Sequence, residues 1–159
     1  MEFKELIKVL SDEVGFDGEP AADEDGVIRL PLSEIGALAL MEVAETRSLL
    51  MWCRVGELPE RNAERLKDAL LRANFMGQAV DGGTLSLSED GGIYLHRYLP
   101  LDLTDADRFM ETLTAFVELV VNWTRLVAES AFAFENAANA ETEGAAGAFE
   151  LNREGIIRG

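Results

Sequence analysis

Apolar residues recur at three- and four-residue steps from the start of the chain, at Phe3, Leu6, Ile7, Leu10 and Val14, with Lys4, Glu5, Lys8 and Asp12 between them. That spacing puts one oily stripe on a helix, and Gly15 follows where a left-handed residue can end it. The period then changes. Val27 to Leu32 alternates around Arg29, and Pro31, lacking an N–H, restricts the segment to an edge strand or a strand end. Two apolar runs, Ala37 to Val43 and Leu49 to Val55, flank the polar turn Glu45-Thr46-Arg47 and predict a hairpin. Pro59 and Glu60 open a second helical pattern, whose stripe is Leu66, Ala69, Leu70 and Ala73. A second hairpin is predicted from Thr84 to Ser88 and Ile93 to Leu99, joined by the turn sequence Glu89-Asp90-Gly91-Gly92. Thr104 is placed to cap a closing helix with Phe109, Leu113, Phe116, Val120 and Val127 on one face.

The fold class is therefore α+β: helix-strand-strand-strand-helix-strand-strand-helix, with helices flanking a twisted antiparallel sheet. Residues 1–128 are read as one domain, a size within the usual single-domain range. Residues 129–159 turn to Ala, Glu, Asn and Gly and are read as an extension, part helical and part mobile, able to dock through Phe149 to Ile157.

The first hairpin carries the candidate site. One side of its pleat is expected to hold Ala37, Ala39, Met41 and Val43 with Leu49, Met51, Cys53 and Val55, a core face. The other side then holds Leu38, Leu40, Leu50 and Trp52, with Glu42, Ser48 and Arg54 at its ends. A sheet with one solvated side alternates cleanly between apolar and polar positions, so this second side needs a cover. Either a helix of the same chain or another protein supplies it. Extended peptides bind in this way, adding hydrogen bonds at a sheet edge while their side chains enter apolar pockets. Leu38, Leu40, Leu50 and Trp52 form the candidate pocket.

Charge narrows the choice of partner. Thirty acidic against fourteen basic residues give a formal charge of −16, which repels phosphate backbones and anionic lipid surfaces and makes nucleic acid a poor partner. The same charge serves solubility, or attraction toward basic or unfolded partners. Apolar residues make up 48% of the chain, yet no run reaches the about 18 residues of a membrane span. The charged N-terminus, Met1-Glu2-Phe3-Lys4-Glu5, does not read as a secretion signal, so a cytoplasmic location is expected.

Candidate chemistry is sparse. Cys53 is the only cysteine and lies inside an apolar run, which reads as a small core side chain. His96, the only histidine, sits in a strand between Tyr94 and Tyr98 with no Cys or His spacing that would hold zinc. An EF-hand aligned on Gly26 fails at both ends, where Ala21 and Leu32 stand. Gly77, Gly82 and Gly83 lack the Lys-Ser/Thr ending of a phosphate loop. No catalytic residue, metal or cofactor is assigned. An enzyme would need a deep polar pocket with convergent carboxylates or His96.

In their order, several local sequences resemble the Tir-chaperone (CesT-like, class I) family of bacterial type III secretion chaperones, over roughly Met1 to Val127. These are Val55-Gly56-Glu57-Leu58-Pro59, Leu66 to Phe75 with its Leu70-Leu71-Arg72-Ala73-Asn74 ending, Gly82 to Leu87, Gly92 to Leu101, and the Phe116 to Trp123 helix. The resemblance implies an acidic, cytosolic homodimer without enzymatic activity that binds an extended segment near the N-terminus of a secreted effector and keeps it soluble and export-competent. It also implies a dimer contact through the middle helix and the next strand, here Leu66, Leu70, Phe75, Leu85 and Leu87, and brings in the export ATPase as a further partner. The alternative is a non-secretory interaction or regulatory module with the same fold.

Overall fold

The computed structural model describes residues 1–15, 20–33, 35–77 and 79–142. The elements follow the expected order: α1 (Phe3–Val14), β1 (Ile28–Leu32), β2 (Gly36–Val43), β3 (Ser48–Glu57), α2 (Ala63–Ala73), β4 (Thr84–Leu87), β5 (Gly92–Pro100) and α3 (Ala106–Thr142). α1 starts with a capping box in which the Glu2 N–H donates to the Glu5 carboxylate at 2.9 Å, satisfying an otherwise orphaned donor. It ends at Gly15, left-handed at φ 73°, and its stripe of Leu6, Ile7 and Leu10 is buried.

Two helix starts differ from expectation. α2 begins only at Ala63, after a left-handed Asn62, so Pro59 lies in the connection before it and not in its first turn. α3 is capped by Asp105, whose Oδ1 accepts the Arg108 N–H at 2.9 Å. Thr104 is taken by a preceding 3₁₀ turn, Leu101–Leu103, and its hydroxyl donates back to the Pro100 carbonyl at 2.6 Å. α3 runs for 37 residues without a break, about 55 Å at 1.5 Å per residue, so the expected division at residue 128 falls inside a continuous helix. The tail beyond Thr142 lies outside the described residues.

All neighbouring strands are antiparallel, in the order β1-β2-β3-β5-β4. The first hairpin corrects the expected face assignment. Val43 pairs with Ser48, Met41 with Leu50, Leu40 with Met51 and Ala39 with Trp52. Four residues, Ala44 to Arg47, separate the closing pair, with Arg47 left-handed, where a turn of Glu45-Thr46-Arg47 implies three. One extra loop residue shifts the pairing by one, and a one-residue shift moves every side chain of a strand to the other face. Leu38 and Leu40 therefore point with Leu49, Met51 and Cys53 into the core, while Ala39 and Met41 point outward with Leu50 and Trp52.

The inward face carries Ile28, Leu30, Leu38, Leu40, Leu95 and Leu85, and all three helices pack their stripes on it as one cluster. α3 supplies Phe109, Phe116 and Val120, each fully buried, and Trp123 donates its indole N–H to the Ala79 carbonyl at 3.1 Å. The helix crosses β3 where a bulge between Arg54 and Gly56 bends the strand. A Cβ at Gly56 would overlap Val127 Cγ1, so this approach requires glycine. Gly56→Ala is accordingly expected to lower the unfolding free energy by about 1–3 kcal/mol, the usual cost of overpacking, read by urea denaturation. An unchanged midpoint would mean that α3 does not press on the bulge.

The sheet ends differ. At β4 the Asn74 side chain accepts the Leu85 N–H at 2.8 Å and donates to the Leu85 carbonyl at 2.9 Å, so the end of α2 occupies that edge. At the other edge, no strand lies beyond β1 among the described residues. Protected and open edges of this kind decide where a further strand can add.

Candidate binding face

Alternation on five strands leaves a second sheet face without a helix over it among the described residues. One row runs Arg29, Ala39, Trp52, His96 and Thr84 across the strands, and a second runs Met41, Leu50 and Tyr98. Trp52, Leu50, Met41, Tyr94 and His96 are half-buried by one another, Tyr98 is exposed, and none of them belongs to the core cluster. An open cleft of about 520 Å³ is lined by Arg29, Ala39, Trp52, Arg54, Tyr94 and, from α3 at the bulged end, Thr124. Its floor is apolar and aromatic, and its rim carries Arg29 and Arg54 together with Glu57.

Each rim arginine is held by a neighbouring acid. Arg54 lies 6.0 Å from the centroid of the Tyr94 ring and pairs with Glu57 at 2.8 Å and Asp90 at 3.8 Å. Arg29 pairs with Asp23. The Val27 N–H and then the Arg29 guanidinium hold the Asp23 carboxyl below its usual range. The Ser88 hydroxyl, ahead of the Gly92 N–H, does the same for Asp90. Solvent-exposed pairs of this type are screened and contribute little, so the arginines are available to a competing carboxylate.

His96 sits mid-face, its Nδ1 3.3 Å from the Ser86 hydroxyl and its ring edge-on to Tyr98 at 6.1 Å. Burial pushes its pKa down, which keeps the ring neutral near pH 7 and the platform uncharged. Burial likewise pushes the Cys53 thiol up, and the residue packs as a core side chain. Among the described residues no three His, Cys, Asp or Glu converge as metal ligands, and no helix is long and apolar enough to cross a membrane.

The four residues expected to share the pocket are thus split. Leu50 and Trp52 lie on the open face, whereas Leu38 and Leu40 are fully buried on the other side of the sheet. The residues expected at a dimer contact divide as well. Leu66, Leu70 and Leu85 are buried in the protein's own core, while Phe75 and Leu87 are exposed. Leu71 and Met76, not singled out from sequence, are exposed beside them at 69% and 76%. Leu71 escaped notice because Leu70, one position earlier, belongs to the buried stripe, and adjacent residues on a helix do not share a face. Tyr94, His96 and Tyr98, weighed in the sequence only for metal or catalytic chemistry, join this face, as their two-residue spacing on one side of β5 implies.

A five-stranded antiparallel sheet with three helices is a fold that this chain shares with solved type III secretion chaperone structures. Residues 5–124 match the Tir chaperone protein (CesT) family, and the chain belongs to that family. It is similar to the Chlamydia pneumoniae protein CPj0713/CpB0740, with 25% identity over 121 residues that cover 76% of this chain and 92% of that one. Among solved structures it is similar to a chain of the ExsC–ExsE complex, with a TM-score of 0.67 and 19% identity, covering 80% of this chain and 97% of that one. A chain of the HopA1–SchA chaperone–effector complex superposes with a TM-score of 0.63 and 19% identity, covering 80% and 93%. The complex of the Yersinia pestis type III secretion chaperone SycH with a fragment of YscM2 gives 0.58 and 23%, covering 75% and 97%.

Proposed function

We propose that the protein is a type III secretion chaperone that holds an extended segment near the N-terminus of one secreted effector across its open sheet face, in the cytoplasm, until the complex reaches the export ATPase. The observation that carries this reading is the aromatic and aliphatic platform of Trp52, Leu50, Met41 and Tyr94, which no described helix covers. An extended guest can run over such a platform and pair with a free strand edge, here β1, since Asn74 already occupies the β4 edge. Pro31 removes one donor from β1, which limits pairing to the remaining positions.

A second copy of the chain is the proposed partner for the apolar patch of Leu71, Phe75, Met76 and Leu87. The patch lies at the β4 end, so a two-fold contact there leaves the open face and the β1 edge free in both copies.

Co-purification of the wild-type chain with its client from the source organism, followed by limited proteolysis, tests the reading. A stoichiometric client should be protected over a continuous segment near its N-terminus. Trp52→Glu should weaken that complex by about 30-fold or more, the loss expected for an aromatic anchor. A client bound as a folded domain, with an affinity that ignores Trp52, would instead establish the non-secretory interaction module.

A further inference from the structure

Among the described residues, Glu57, the last residue of β3, is the one acid at an outward strand position of the sheet, in a chain with thirty Asp and Glu. Arg29, Arg54 and His96 stand on that face. Both arginines line the cleft beside Trp52, and their present partners, Asp23, Glu57 and Asp90, are rim carboxylates on weak exposed pairs. The net charge of −16 favours basic partners at long range, but at physiological salt it is screened beyond about 8 Å, so local groups decide what sits in the cleft.

We propose that the cleft selects an acidic guest: an extended segment in which an aliphatic or aromatic anchor on Trp52 and Ala39 is flanked by Asp or Glu side chains that take Arg29 and Arg54. This rests on the open face being the guest site and specifies the chemistry of what it binds. Arg29 lies two strand spacings from Trp52, and Arg54 two residues along β3 from it, so the two arginine positions are about 12 Å apart; residues two before and two after an anchor in an extended chain share its face and lie about 13 Å apart, a matching span. Once the guest covers the cleft, each guanidinium exchanges an exposed, screened carboxylate for a shielded one, and charge-assisted hydrogen bonds are the stronger kind. The Arg54 guanidinium near the Tyr94 ring keeps one aromatic neighbour throughout. Neutral His96 leaves the middle of the face free for the anchor.

The test uses the full-length protein and three fluorescein-labelled synthetic peptides of equal length, Thr-rich with a central Leu and, two residues to either side of it on the same face of an extended chain, Glu, Gln or Lys. Anisotropy titration at about 150 mM salt should rank them Glu, Gln, Lys, with about tenfold or more between the first and last. Arg29→Glu combined with Arg54→Glu should reverse the order, with Arg29→Gln and Arg54→Gln as the milder pair if the reversal variant unfolds. Lys binding as tightly as Glu, or a ranking that both pairs leave unchanged, overturns the charge selection while leaving the sheet face as the guest site. Failure of all three peptides to bind removes the face as a guest site and the selection with it. Stronger competition by a synthetic peptide of residues 143–159 than by the Glu peptide would put the chain's own C-terminal segment in the cleft and overturn the proposal.

Discussion

Leu40→Ala is expected to lower the free energy of unfolding by about 2–5 kcal/mol, the range for a fully buried leucine whose site cannot collapse. Leu50→Ala, ten residues on in the same hairpin, is expected to change it by about 1 kcal/mol or less and to act on guest binding instead. The contrast follows from register. Leu40 pairs with Met51 and points among the helices, whereas Leu50 pairs with Met41 and points at solvent. Urea denaturation of the two variants with m-values compared checks it, since a common slope shows that only stability moved. Equal losses, or a larger loss for Leu50→Ala, would mean that the hairpin closes around three residues and that the open face is not the one described.

The double variant Leu71→Glu, Phe75→Glu is expected to convert the proposed dimer into a folded 17.4 kDa monomer, weakening association by about 100-fold or more. Both side chains are exposed, at 69% and 76%, so charging them costs little within one copy. In a two-fold contact each substitution counts twice and brings like charges together in a desolvated patch. Light scattering behind size exclusion reads the mass, and circular dichroism verifies the fold. A wild-type chain that is monomeric at all concentrations, or a dimer that survives both charges, would remove this patch as the contact. Leu66→Glu could not make the same point, because Leu66 is buried and its loss would unfold the chain before testing any interface.

A chain this acidic presents itself to solvent as a polyanion, yet places Arg29, Arg54 and His96 around Trp52 on the open sheet face, both arginines held by exposed rim acids. Bulk charge governs solubility and encounter, and the local set governs what stays. The two need not agree in sign.

Periodicity in the sequence was enough for the element order and the helix–sheet class, because each is a local property: a stripe every three or four residues, alternation every two, Gly15 past a helix, Asp90-Gly91 in a turn. It was not enough for the binding face. Whether Leu38 and Leu40 or Ala39 and Met41 join Trp52 depends on a single loop residue, and both alternatives present apolar side chains on each side of the hairpin, so the pattern could not choose. The same limit splits the dimer contact that the resemblance implies: the stripe of Leu66 and Leu70 suits a core or a two-fold contact equally, and the docking of α2 seats both in the core and leaves Leu71 outside. Local pattern assigns a residue to an element; pairing register and helix docking, which join positions far apart in the chain, assign it to the inside or the outside.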